Sequence, residues 1–246
     1  FIDVTDELSI KNFFDKEEIV SIDGLIYSAG IAVKRTPIID FNREAYLNIH
    51  DVNLLGALMV FKYCYSFLKL SQGRVVVVNS LAARTYSQFS GFEYTITKSA
   101  LSGMVRHLAM DWAEDNILVN SIFPSMIDTP MLRKGVSSED YLSIANNIPL
   151  KRVATSEDII TAIEFLISSK NTYITGSGID INGGKHLSSW CADMKYIIGA
   201  YASAPSVWLQ DKEEESSFYN LLKEKIENIK GLEIPFYGNQ IHQFGD

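Results

Sequence analysis

"GRVVVVNS" (Gly73–Ser80) opens on a glycine, runs through four valines and closes on two polar residues. Valine is stiff at χ1 and suits a pleated backbone. Four in a row leave no polar face, so the strand is buried on both sides, the pattern of a parallel sheet. Three further stretches repeat this theme. "DGLIYSAG" (Asp23–Gly30) is a short apolar run ending in small residues, "ILVNSIF" (Ile117–Phe123) is stopped by Pro124, and "GSGIDINGG" (Gly176–Gly184) lies between glycines. Helical spacing fills the intervals, over Glu44–Leu70 and Phe92–Glu114. Thr155 and Asp158 form a capping-box pattern ahead of "IITAIEFLISS". Strand and helix alternate with short loops, so the expected fold is α/β with a doubly wound parallel sheet. In such folds a ligand lies at the carboxyl ends of the strands.

The 246 residues fit one domain, or one and a fragment, and 47% hydrophobic residues suffice for a core. A formal net charge of −8 excludes nonspecific nucleic-acid and anionic-membrane binding, which need basic surface. Cys64 and Cys191 form neither a metal-ligand spacing nor a disulfide framework. A reducing cytoplasm is therefore the expected location, with no metal site. The longest apolar runs, such as "RVVVVNSLAA", are read as too short to span a bilayer. No signal peptide is visible, although the chain begins at Phe1 and a missing start could have carried one.

"YTITK" places Tyr94 and Lys98 at i and i+4, on one helix face. A neighbouring ammonium favours the phenolate, and a phenol tuned downwards can exchange protons near neutral pH. The same spacing also describes an ordinary surface pair. Ser80 ends the preceding strand, where its hydroxyl either caps a turn or bonds a substrate oxygen and the tyrosine. Asn53 lies inside the long helix, where asparagine competes for backbone hydrogen bonds. It marks either a local kink or a hydrogen-bonded relay. Pro124 and Ser125 open a loop that is a plain connection or a ligand cradle. The four histidines, His50, His107, His186 and His242, are scattered and read as surface or packing residues.

Together these residues resemble the short-chain dehydrogenase/reductase family. The likeness runs in order through "DVTD" (Asp3–Asp6), "YSAG" (Tyr27–Gly30), "VN" (Val52–Asn53), "VVVVNS" (Val75–Ser80), "YTITK" (Tyr94–Lys98), "LVNSIFPSMIDTPM" (Leu118–Met131) and "GSGIDINGG" (Gly176–Gly184), over Phe1 to about Leu187. The last segment resembles the usual carboxyl-terminal strand of the non-epimerase members. The resemblance implies a Rossmann-type fold and reversible hydride transfer between NAD(P)(H), either NAD or NADP, and an alcohol or ketone. It implies that Tyr94 donates and accepts the proton. Lys98 lowers the tyrosine pKa and holds the nicotinamide ribose. Ser80 orients the substrate oxygen, and Asn53 holds a water in the relay. Asp3 and Val4 would contact the adenine, Ala29 and Gly30 would border the ribose, and Pro124, Ile127 and Thr129 would lie by the nicotinamide. Homodimers or homotetramers are implied, formed by the helices of Asn53 and Tyr94; the apolar run "LMVFKYCYSFL" (Leu58–Leu68) agrees.

The departures are specific. Tyr27 and Ser28 stand where the family usually shows two asparagines, and Ser125 stands where glycine is usual after proline. Ser80 is one residue further from Tyr94 than is common. No GxGxxG or GxxxGxG occurs anywhere, so the glycine turn that cradles a pyrophosphate is missing. The expectation is an amino-terminally truncated sheet lacking its first strands, binding dinucleotide poorly. Residues 1–187 form the partial nucleotide domain, and 188–246 a βαβ-like extension. That tail weakly resembles the start of a sugar-isomerase-like (β/α)8 barrel, which makes a sugar or polyol substrate a candidate. Met194 is read as the start of a neighbouring reading frame joined through "SSWCAD". The alternative to an oxidoreductase is a non-catalytic binding or scaffold protein on the same fold.

Overall fold

The computed structural model describes residues 2–16, 19–129, 132–133 and 136–187. All of these fall in the first of two units of the chain, Phe1–Leu187. The expected tail elements after Met194 lie outside the described residues.

Four parallel strands, β1 (Gly24–Tyr27), β2 (Arg74–Val78), β3 (Leu118–Pro124) and β4 (Gly178–Ile181), lie side by side in chain order. The register runs Leu25 against Val75, Val75 against Val119, and Ile122 against Ile179. The helices are α1 (Glu7–Lys16), α2 (Arg43–His50), α3 (Gly56–Ser71), α4 (Phe92–Asp111), α5 (Ser138–Asn146) and α6 (Ser156–Ile167). The capping box at α6 forms as expected: Thr155 and Asp158 satisfy each other's backbone N–H groups.

The valines of β2 show why the sheet must be covered twice. Val75 and Val77 pack with Ile10 of α1, Phe61, Cys64 and Leu68 of α3, and Leu101 and Val105 of α4. Val76 points the other way, with Ile122 of β3 and Ile159 and Leu166 of α6. Alternate side chains of one strand thus feed two hydrophobic layers. Burial removes Cys64 from thiolate chemistry, pushing its pKa up to about 12.

Two local expectations change. The helix over Glu44–Leu70 is not one regular helix: Asp51–Leu55, containing Asn53, forms a π-helical turn between α2 and α3. By length and composition alone, Arg43–Ser71 is also apolar enough to cross a membrane, so the run-length expectation fails for it. The residues it buries, Phe61, Cys64 and Leu68 among them, are core partners of the sheet.

Candidate active site

Because all four strands run the same way, their carboxyl ends share one edge. The loops leaving β1, β2 and β3 meet the first turns of α4 there. A 160 Å3 cavity at this edge is lined by Gly30, Ser80, Tyr94, Lys98, Pro124 and Ile127, with Asn79 and Ser125 beside them. Six of the expected site residues therefore converge.

Asn53 stands behind the wall, fully buried. Its Oδ1 accepts from the Ile31 N–H at 2.8 Å, and its Nδ2 donates to the Ile31 carbonyl at 2.9 Å and to Thr97 Oγ1 at 3.1 Å. Thr97 Oγ1 in turn donates to the Tyr94 carbonyl at 3.1 Å. The π-turn turns a side chain disfavoured within helices towards the loop after β1. The kink that the sequence offered as one alternative is present. With both ends of its amide engaged, Asn53 positions the β1 loop against α4.

Lys98 is 4% exposed and its Nζ donates to the Val78 carbonyl at 3.2 Å. Burial lowers its pKa to about 8. Gly30 makes room for it: a Cβ there would lie 3.3 Å from Lys98 Nζ and 3.4 Å from Asn53 Oδ1. A glycine lets the loop come within reach of the ammonium.

Burial and Ser80 both act on Tyr94. Burial raises its phenol above the ordinary value, and the hydrogen bond from Ser80 is what pulls it down. The Lys98 ammonium lies 5.7 Å from the ring centroid and donates to the Val78 carbonyl. The i,i+4 spacing brings the two side chains to one face.

Ser80 lies two residues beyond β2 as observed. Its Oγ accepts from the Ala82 N–H at 3.1 Å, so it also fills the turn-capping role. Asn79, not singled out from the sequence, anchors it. The Asn79 Oδ1 accepts from the Ser80 N–H at 3.0 Å, and its Nδ2 donates to Ser102 Oγ of α4 at 3.0 Å. The Asn79 N–H donates to the Ile122 carbonyl, extending the ladder one step beyond the strand.

The remaining expected residues do not line this cavity. Asp3 is exposed, and its carboxylate accepts from Thr5, which lowers its pKa. Val4 packs against Gly56 at the start of α3. Ala29 packs against the core, and Thr129 Oγ1 accepts from the Leu132 N–H.

A second cavity, of 280 Å3, adjoins the first and shares Ser80 and Ser125 with it. Tyr86, Phe89, Lys185 and His186 are among its other walls. His186, read from the sequence as a surface or packing residue, and Lys185, not singled out there, both border this cavity.

A family model described as Enoyl-(Acyl carrier protein) reductase matches residues 2–186, most of the chain. The chain belongs to the short-chain dehydrogenase/reductase family. Short-chain dehydrogenases and reductases are oxidoreductases built on a Rossmann fold that uses NAD or NADP, as the resemblance implied. Among curated relatives, Protein FixR of Bradyrhizobium diazoefficiens is 31% identical over 171 residues, 68% of this chain and 60% of that protein. The 3-oxoacyl-[acyl-carrier-protein] reductase FabG of Buchnera aphidicola is 34% identical over 169 residues, 68% of each. The match thus spans less than two thirds of FixR's own length. A solved structure titled "ElxO with NADP Bound" superposes with a TM-score of 0.70 at 26% identity, over 75% of this chain and 76% of that one. A separate model, described only as a domain of unknown function, matches residues 197–245. That match is compatible with a tail distinct from the dehydrogenase/reductase part.

Proposed function

We propose that the chain carries the proton-transfer half of an NAD(P)-dependent oxidoreductase acting on an alcohol or ketone. The observation that carries this reading is the cavity in which Ser80, Tyr94 and Lys98 meet beside Gly30. The bound nicotinamide would supply or take the hydride; the protein's own groups handle orientation and the proton. Tyr94 gives its proton to the oxygen of a ketone being reduced and recovers it in the reverse direction. Ser80, beside that phenol in the cavity, holds the same oxygen. A phenol kept above its ordinary pKa is protonated at neutral pH, the form that reduction needs. Lys98 reaches the space left by the absent Gly30 Cβ, where a ribose hydroxyl fits. Asn53 fixes the β1 loop rather than contacting substrate, and any part in a water relay rests on that placement.

The residues present fit the nicotinamide-ribose end of the cofactor. The sequence contains no glycine-rich pyrophosphate turn. Asp3, Val4, Ala29, Pro124, Ile127 and Thr129 would add local contacts to the cofactor. The substrate is a small molecule, a sugar or polyol among the candidates, and the chain pairs through α3 and α4. Leu58, Ile96 and Met110 on these helices, and Leu55 in the turn before α3, expose apolar surface, which supports self-association. Residues 188–246 are a separate part of the chain, a boundary supported by the second family match at 197–245.

The test is oxidation of NADH or NADPH with a panel of ketones over a wide range of nucleotide concentrations. Replacing Tyr94 by Phe should lower the rate by about 10²–10⁴-fold. Undiminished turnover in Tyr94→Phe would sink the mechanism. No turnover with either nucleotide would favour a binding or scaffold protein on this fold.

A further inference from the structure

The 280 Å3 cavity begins at Ser80, so on the reading proposed above it holds the part of the substrate beyond the reacting oxygen. Among the described residues its walls contain no carboxylate, although the whole chain carries a net charge of −8. They do contain Lys185 and His186. Among the described residues Lys185 has no ion-pair partner. Its Nζ lies 6.0 Å from the centroid of Phe89, on the same wall as Tyr86. Partial burial lowers its pKa, the cost of an ammonium that lacks a counter-charge.

This lysine is presented by a built turn. Asn182 Oδ1 accepts from the Gly184 N–H at 2.9 Å, and its Nδ2 donates to the His186 carbonyl at 2.9 Å. The Lys185 N–H donates to the Asn182 carbonyl at 3.0 Å. Gly183 and Gly184 hold positive φ values of 61° and 84°, which a side chain would strain. The turn therefore fixes where the ammonium enters the cavity, and the Phe89 ring narrows where it can go.

We propose that this pocket takes a carbonyl or alcohol substrate bearing a carboxylate, and that Lys185 is the residue that recognises it. A single ammonium in a pocket without carboxylates matches one negative charge, which favours a carboxylate over a doubly charged phosphate. The carboxylate completes the ion pair that Lys185 lacks. Ser80, shared with the adjoining cavity that contains Tyr94, holds the reacting oxygen, so the two cavities together select a keto or hydroxy acid.

The test is calorimetric titration of the full chain with levulinate and its longer straight-chain homologues, each beside its methyl ester. At least one acid should bind about tenfold more tightly than its ester, the size of a charge-assisted hydrogen bond in a partly solvated site. Lys185→Met should erase that preference, Lys185→Arg should keep it, and Tyr94→Phe should leave it in place. Equal affinity for acid and ester, no measurable binding of any acid, or a preference that survives in Lys185→Met would overturn the proposal. Because binding is read without turnover, the outcomes separate. An acid preference dependent on Lys185 but with no Tyr94-dependent reduction would leave the anion site standing and remove the oxidoreductase reading.

Discussion

Lys98→Met should make the protein more stable at neutral pH while disabling its site. The ammonium is 4% exposed, and burial lowers its pKa from an ordinary 10.5 to about 8. That difference corresponds to about 3 kcal/mol spent on holding the charge inside the folded protein. The sign follows from the proton balance. Below the folded value both states are protonated and the full cost is present. Between about pH 8 and 10.5 the unfolded chain holds a proton that the folded one has released, so this group makes stability rise with pH. Above the unfolded value both are neutral and the cost has gone. Methionine keeps most of the volume and carries no charge, but it abandons the Val78 carbonyl, an offset of about 1 kcal/mol. The variant should therefore exceed wild type by about 2 kcal/mol near pH 7, and the gap should close or reverse near pH 10. Urea unfolding followed by circular dichroism at both pH values measures this. Other groups also titrate, but they do so in both proteins and cancel in the comparison. A variant less stable than wild type near pH 7, or an equal gap at both pH values, would refute the account of Lys98.

Other expectations follow from the same site and core. Asn53→Ala should cost about 2–5 kcal/mol in urea unfolding, because both backbone polar groups of Ile31 lose their buried partner; a loss below about 0.5 kcal/mol would deny Asn53 its positioning role. Gly30→Ala should weaken NADPH binding in a fluorescence titration by more than it lowers stability, since the added methyl meets Lys98 Nζ and Asn53 Oδ1 at the mouth of the cavity. Unchanged affinity would place the nucleotide elsewhere. Peptide mapping after brief iodoacetamide treatment should find Cys64 unmodified in native protein and alkylated in urea; native labelling would contradict its burial.

The sheet was legible where the sequence repeats one kind of residue. Four valines give a strand buried on both faces whichever neighbours it has, and Val75–Val77 are all fully buried. The α6 start was legible because a capping box is local, with Thr155 and Asp158 satisfying each other within one turn. The candidate site was legible as a set of residues but not as a geometry. Spacing put Tyr94 and Lys98 on one face; only packing shows that the ammonium turns to Val78 and that Ser80 tunes the phenol. The π-turn at Asp51–Leu55 has no local marker beyond an asparagine in an apolar helix, since it forms to meet Ile31, 22 positions away in the chain. Asn79 was hidden because a polar strand-end residue is ordinary until its bond to Ser102 is seen. Lys185 and His186 follow two glycines and look like a surface turn; nothing nearby in sequence shows that this turn borders the cavity beginning at Ser80.

In the proposed mechanism Ser80 and Tyr94 act as one unit on one proton. A double-mutant cycle in kcat/KM for nucleotide-dependent ketone reduction, using Ser80→Ala, Tyr94→Phe and the pair, tests it most directly. The account predicts a large loss for each single variant and a double variant little worse than the poorer single, as for residues that share one step. Losses that multiply in the double variant would mean two independent roles, and would contradict it.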